Sequence, residues 1–152
     1  TAKQLLEEYA KIGTKFEGQF KKPYVVSEST SLVQIKVDLE KAGDADGVVA
    51  YYSDDAINYG ANLEPASGKA AIREKIAKRL ANDTLGNYNV YKIVDLFATG
   101  DTALELGSWV QFDSSGKEME NGNYMSYFEK RDGKYLCVRD MSTTTSPVKS
   151  GM

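Results

Sequence analysis

The pattern of apolar and polar positions divides the chain into a helical first half and a stranded second half. Residues 3–19 carry Leu5, Leu6, Tyr9, Ile12 and Phe16 three and four apart, the spacing of one helical face, with Gly13 and Gly18 weakening it. Pro23 breaks that segment, because proline cannot continue a helix and biases the residue before it toward extended geometry. A second helix is expected from Ser29 to Lys41, with Leu32, Ile35 and Leu39 on one face and Ala42-Gly43-Asp44 as its stop. Val48, Val49, Tyr51 and Tyr52 predict a short third helix, after which Asp54 and Asp55 are expected to turn the chain into a strand near Ala56–Gly60. Beyond a loop with Pro65 and Gly68, Ser67 reads as the cap of a helix carrying Ala70, Ile72, Ile76, Ala77 and Leu80.

From Tyr88 onward the period changes to two and turn signals arrive at hairpin spacing. Gly100-Asp101 separates a strand near Tyr88–Ala98 from one near Thr102–Phe112. The next reversal falls either at Asp113–Gly116 or at Asn121-Gly122. Asp132-Gly133, between Tyr124–Lys130 and Tyr135–Ser142, is the strongest hairpin signal in the chain. Four consecutive antiparallel strands after a run of helices describe an α+β fold, not the alternation of a parallel sheet. The expected organisation is a helical extension over residues 1–22, one domain over 23–143, and a loose tail over 144–152.

Composition narrows the function. A chain of 152 residues with 41% hydrophobic and 27% charged side chains has enough apolar material for one globular core. Nineteen basic against 22 acidic residues leave a net charge of −3, without the basic excess that phosphate backbones demand, so nucleic acid is not an expected partner. No run has the ~18 apolar residues of a membrane-spanning helix, so no membrane partner is expected. The chain starts at Thr1 and not at Met, so localisation is undetermined, and export after removal of a leader stays open. The absence of histidine excludes imidazole bases and His-containing zinc sites, and one cysteine, Cys137, excludes an intrachain disulfide and a thiolate cluster. No cofactor or metal is expected: the phosphate-cradling glycine motifs are absent, and the acidic Asp44, Asp46 stretch lacks the glycine and closing glutamate of a calcium loop.

The order of motifs carries a resemblance. Ala42-Gly43-Asp44-Ala45-Asp46-Gly47-Val48-Val49-Ala50-Tyr51-Tyr52-Ser53-Asp54-Asp55-Ala56, then Ser67-Gly68-Lys69-Ala70-Ala71-Ile72-Arg73, resembles the SnoaL-like and ketosteroid isomerase-like superfamily, which has the nuclear transport factor 2-like fold. Leu104-Glu105-Leu106-Gly107-Ser108-Trp109 and Asp132–Met141 are similar to strand motifs of its largely uncharacterised bacterial branch. The resemblance runs over roughly Ser29–Thr143. It implies a cone in which about three helices pack on a strongly curved mixed sheet, a pocket between them, and frequent homodimers; the helix over residues 1–22 is then an addition. It implies no single chemistry, because this fold hosts enzymes, binding modules and adaptors. Matched position by position, the proton-shuttling aspartate of the steroid isomerases falls at Gly60, their tyrosine at Lys36 and their second acid near Ser126, so that mechanism is not expected.

Strand alternation sorts the candidate side chains. Along Thr102–Phe112, Leu104, Leu106, Val110 and Phe112 share one face, expected to be the core wall, and Glu105, Trp109 and Gln111 share the other. Two readings follow. In one, Glu105, Asp140 or Arg139, Asn58 and Tyr124 surround a small cavity with Trp109 or Tyr59 as aromatic wall, and Ser126 adds a polar group. In the other, Glu105 and Arg139 form a cross-strand ion pair on the outer face, worth about 0.2–1 kcal/mol. The candidate carboxylates for catalysis are Asp55, Glu105 and Asp140. The favoured function is a noncatalytic or weakly catalytic small-molecule-binding domain for a flat organic ligand, in a homodimer. The alternatives are an isomerase, cyclase or dehydratase with an unfamiliar carboxylate base, and a protein-interaction module that uses the Leu5, Tyr9, Ile12, Phe16 face.

Overall fold

The computed structural model describes residues 43–83 and 86–146. The helices expected over residues 3–19 and 29–41, and with them the apolar face of Leu5, Tyr9, Ile12 and Phe16, lie outside the described residues, as do residues 147–152. Asp44 starts the first described helix, α1 (Ala45–Ala50), by accepting a hydrogen bond from the Gly47 amide at 2.8 Å. The helix is shorter than expected at its end. Tyr51 is its C-cap and Tyr52 already opens strand β1 (Tyr52–Tyr59), in keeping with the strand preference of aromatic residues.

The turn expected at Asp54 and Asp55 is corrected, since both lie inside β1. The pairing of β1 with the last strand shifts register between Tyr52 and Ile57, and this irregularity lets two consecutive carboxylates face solvent. Outside, Asp54 lies 3.5 Å from Lys69, and Asp55 lies 2.5 Å from Arg131. Ser67 does not cap the next helix, because it pairs with β1 as part of the two-residue strand β2 (Ala66–Ser67). Gly68 stands at the cap instead, at φ 84°, and its amide is held by the Ala56 carbonyl at 2.8 Å. Only glycine adopts that conformation without strain, and it swings the chain from strand into helix α2 (Lys69–Asn82), which buries Ile72 and Ile76.

Four long strands then form the antiparallel meander: β3 (Tyr88–Thr99), β4 (Thr102–Phe112), β5 (Glu118–Arg131) and β6 (Lys134–Ser142). Asp132 and Gly133 both take positive φ, 51° and 77°, as a two-residue type I′ hairpin requires. The reversal after β4 is at Asp113–Gly116, where the Asp113 carboxylate accepts from the Ser115 and Lys117 amides; Asn121-Gly122 is interior to β5. The sheet order is β2-β1-β6-β5-β4-β3, with β1 parallel to β6, so this curved α+β sheet is mixed. Its core gathers Val48, Tyr52, Ala56, Ile72, Phe128 and Cys137. Among the described residues no helix is long and apolar enough to cross a membrane.

The assignment of faces on β4 is also corrected. Glu105 is fully buried, while Leu104 and Leu106 are only half-buried on the opposite side. Alternation groups these residues correctly but carries no sign, and here the polar set turns inward because partners on β5 await it. Beyond β6 the chain continues beside β5: the Thr143 amide donates to Asn123 O at 2.8 Å, and that of Thr145, in the expected loose tail, to Asn121 O at 3.0 Å.

Candidate functional site

Register across four strands assembles the site. Asn58 pairs with Asp140, Asp140 with Ser126, and Ser126 with Glu105, so β1, β6, β5 and β4 contribute one polar row to the inner face. Asp140 is the hub. Its Oδ2 accepts from the Tyr52 hydroxyl at 2.7 Å and from Asn58 Nδ2 at 3.2 Å, and its Oδ1 accepts from Ser126 Oγ at 3.2 Å. Lys75 on α2 donates to Asn58 Oδ1 at 2.8 Å, which settles which way the amide faces: oxygen to the ammonium, nitrogen to the carboxylate. Asp140 is 7% exposed, and a buried carboxylate requires this density of donors.

Glu105, the other buried acid, accepts from the Tyr124 hydroxyl at 2.7 Å. The Tyr124 ring meets Tyr91 edge-on, with centroids 5.2 Å apart, and crosses the sheet over Gly107. A Cβ on Gly107 would lie 2.5 Å from that ring and 2.4 Å from the Lys92 carbonyl, so glycine is the residue that admits the tyrosine. Gly122 has a related role. A Cβ there would come within 1.9 Å of the Thr143 carbonyl, the group that also holds the Trp109 indole nitrogen at 3.1 Å.

Between this inner face and α2 lies a cavity of about 310 Å3. Its sheet wall includes Asn58, Tyr91, Trp109, Tyr124, Ser126 and Asp140, and its helix wall is Ile72, Lys75, Ile76 and Arg79. Of the side chains singled out from sequence, Asn58, Trp109, Tyr124, Ser126 and Asp140 line the cavity, Glu105 reaches it only through Tyr124, and Tyr59 and Arg139 do not line it. The row next to the polar one explains those two absences. Tyr59 pairs with Met141 and Arg139 with Tyr127, one residue out of phase with Asp140, which places both on the opposite face. Arg139 donates to the Val138 and Asp55 carbonyls, and no ion pair joins it to Glu105. Asp55 is at the surface, where its hydrogen bonds with Arg131 lower its pKa from 3.8 to about 2, which leaves it a feeble base.

Several lining residues escape the sequence reading. Lys75 and Arg79 look like the solvated face of an amphipathic helix, and only their spacing from Ile72 and Ile76 signals that they share its inner side. Tyr52 escapes it because the apolar run around it predicts a helix there. Tyr51, beside it, packs edge-on against Tyr52 and Phe128, and burial pushes its hydroxyl pKa well up, with the charges of Cys137 and Asp140 adding to the effect. The acidic Asp44, Asp46 stretch is occupied by the α1 cap and by an ion pair of Asp46 with Arg73 at 2.8 Å. Among the described residues no three acidic or cysteine side chains cluster as metal ligands do.

Comparison with solved structures places the architecture. A protein of unknown function with a cystatin-like fold from Nostoc punctiforme superposes with a TM-score of 0.69 at 14% identity, covering 77% of this chain and 87% of the other. A nuclear transport factor 2-like protein from Novosphingobium aromaticivorans gives 0.66 at 19% identity, covering 78% and 80%. A ketosteroid isomerase-like protein from Erwinia carotovora gives 0.61 at 18% identity, covering 76% and 92%. At these identities the likeness is one of fold. No match was found among the curated proteins. Gly60 and Ser126 both line the cavity, and Ser126 has Asp140 as its cross-strand neighbour. The SnoaL-like domain model matches residues 36–137, and with cavity, curved sheet and sequence in agreement, the chain belongs to the SnoaL-like domain family.

Proposed function

We propose that this protein is a small-molecule-binding domain whose ligand, a flat or cyclic organic compound, enters the cavity between α2 and the curved sheet. The observation that carries the reading is Asp140, a buried carboxylate lining the cavity with its orientation fixed by Tyr52, Asn58 and Ser126. A few convergent polar groups among aromatic and aliphatic walls is the usual makeup of such sites. The aromatic walls of Tyr91, Trp109 and Tyr124 match a ring. A thermal-denaturation screen against aromatic and polyketide-like compounds tests it: a ligand at 100 times its dissociation constant stabilises the fold by about 2.7 kcal/mol. The stabilisation should disappear in Asp140→Asn. A broad panel without any stabilising member would end this reading.

One observation favours a catalytic variant of the same site. Asp140 and Glu105 are both buried, and each is hydrogen-bonded to a tyrosine hydroxyl that borders the cavity. An isomerase, cyclase or dehydratase would use Asp140 as base and Tyr124 as acid, with Glu105 as the positioning residue behind Tyr124. Asp140→Asn would then abolish turnover of a bound ligand, and retained turnover excludes the assignment. The homodimer is proposed to form through the outer sheet face, where Met125, Met141 and Phe97 are exposed. A protein-interaction role would depend on the apolar face of residues 3–19.

A further inference from the structure

The two walls of the cavity differ in charge, with carboxylates on the sheet side and cations on the helix side. On the sheet side the Tyr52 hydroxyl donates to Asp140 and the Tyr124 hydroxyl donates to Glu105, so what these tyrosines offer a ligand is oxygen lone pairs. Asp140 adds carboxylate oxygen to the same region. Glu120 on β5 lines the same cavity, so both acids of the lining stand on the sheet side. On the helix side, positions 72, 75, 76 and 79 follow the i, i+3, i+4, i+7 spacing of one face, and two of the four are cations, Lys75 and Arg79. Ile72 and Ile76 are buried, Lys75 is half-buried and Arg79 is exposed, so positive charge increases toward the rim. Tyr91 and Trp109 supply flat aromatic wall.

Resting on the binding reading above, we propose that the natural ligand is an organic anion: a one- or two-ring carboxylic acid carrying a hydroxyl or N–H donor at its far end. The carboxylate lies between Lys75 and Arg79, where the planar guanidinium fork meets it with two parallel hydrogen bonds. The ring lies along the aromatic wall. The distal hydroxyl or N–H donates to Asp140, whose position is set from behind by Asn58, itself oriented by Lys75. A cavity of about 310 Å3 sits at the small end of the range for organic ligands, roughly 300–1,000 Å3, which limits the ring count. A neutral ligand would forgo the charge attraction of Lys75 and Arg79, and an acid without a distal donor would make no hydrogen bond to Asp140.

Calorimetry and thermal denaturation with para-hydroxybenzoate, para-hydroxycinnamate and a hydroxynaphthoate, each beside its carboxamide and its methyl ether, test the assignment. The acids should bind about tenfold more tightly than the amides, and the preference should shrink as salt is added. The methyl ethers should bind more weakly than the free phenols. Arg79→Gln, a change at an exposed position, should lower the affinity for acids by a larger factor than that for amides, so that the preference for acids shrinks. Equal binding of acid and amide overturns the charge assignment and leaves the binding reading in place. Binding of neutral rings from the wider screen, with none of these acids, does the same. Failure of every compound in both screens overturns the binding reading and this inference with it.

Discussion

The two faces of the sheet carry opposite chemistry in adjacent rows. On the inner face Asn58, Asp140, Ser126 and Glu105 run in register across four strands. In the adjacent row Tyr59, Met141, Met125 and Leu106 run in register on the outer face. In the inner row Glu105, Ser126 and Asp140 are buried and Asn58 is half-buried, while Met125 and Met141 in the outer row are 42% and 47% exposed. In an ordinary half-buried sheet the arrangement is reversed. Polar groups held inside at the cost of their desolvation point to use, since stability alone favours apolar residues there. Apolar groups left outside point to a covering surface. A single shift of register would exchange the two.

The contrast predicts that the inner face governs stability and the outer face governs association. Asp140→Ala withdraws the acceptor from three hydrogen bonds, and urea denaturation should register a loss of about 3 kcal/mol. A loss under about 1 kcal/mol would mean that the cluster is solvated and not built in. Gly107→Ala pushes a methyl against the Tyr124 ring and the Lys92 carbonyl, for a destabilisation of about 2 kcal/mol and a quenched or shifted tyrosine signal in near-ultraviolet dichroism. Met125→Lys on the outer row should change unfolding free energy by no more than about 0.5 kcal/mol, yet convert the proposed homodimer to monomer in sedimentation analysis. Unchanged sedimentation would detach association from that face.

The smallest effect belongs to the rim of the sheet. Asp55 has a folded pKa near 2 against the ordinary 3.8, chiefly because Arg131 hydrogen-bonds its carboxylate. A lowered folded value means that the ionised group contributes stability above pH 3.8 and that this contribution fades as pH falls toward 2. Asp55→Asn should therefore separate from the parent protein slightly at neutral pH and converge with it at pH 2, as read by thermal midpoints. A gap that persists in acid would assign the effect to packing.

Strand limits were legible because turns announce themselves locally. Asp132-Gly133 prescribes its own dihedral angles, and the limits Thr102–Phe112 follow from turn residues on either side. The grouping of Glu105 with Trp109 was legible for the same reason, since alternation is a property of the strand alone. Which group faces inward was not, because the answer lies in contacts with other strands: Glu105 is inside owing to Tyr124, and Tyr124 fits owing to Gly107. Asp140 stands beside Ser126 by cross-strand register, which counting along one chain does not see. The register shift between Tyr127 and Phe128 opposite β6 sets the phase of that strand, with Cys137 and Val138 both buried before alternation resumes at Arg139 and Asp140. An irregularity of this kind has no local signature.

Asn58 stands where a single atom separates two very different sites. Its amide touches the Lys75 ammonium with oxygen and Asp140 with nitrogen. Trading that nitrogen for oxygen, as in Asn58→Asp, would set two carboxylates back to back and draw the lysine toward both. The grip on Asp140 from β1 would then turn to repulsion.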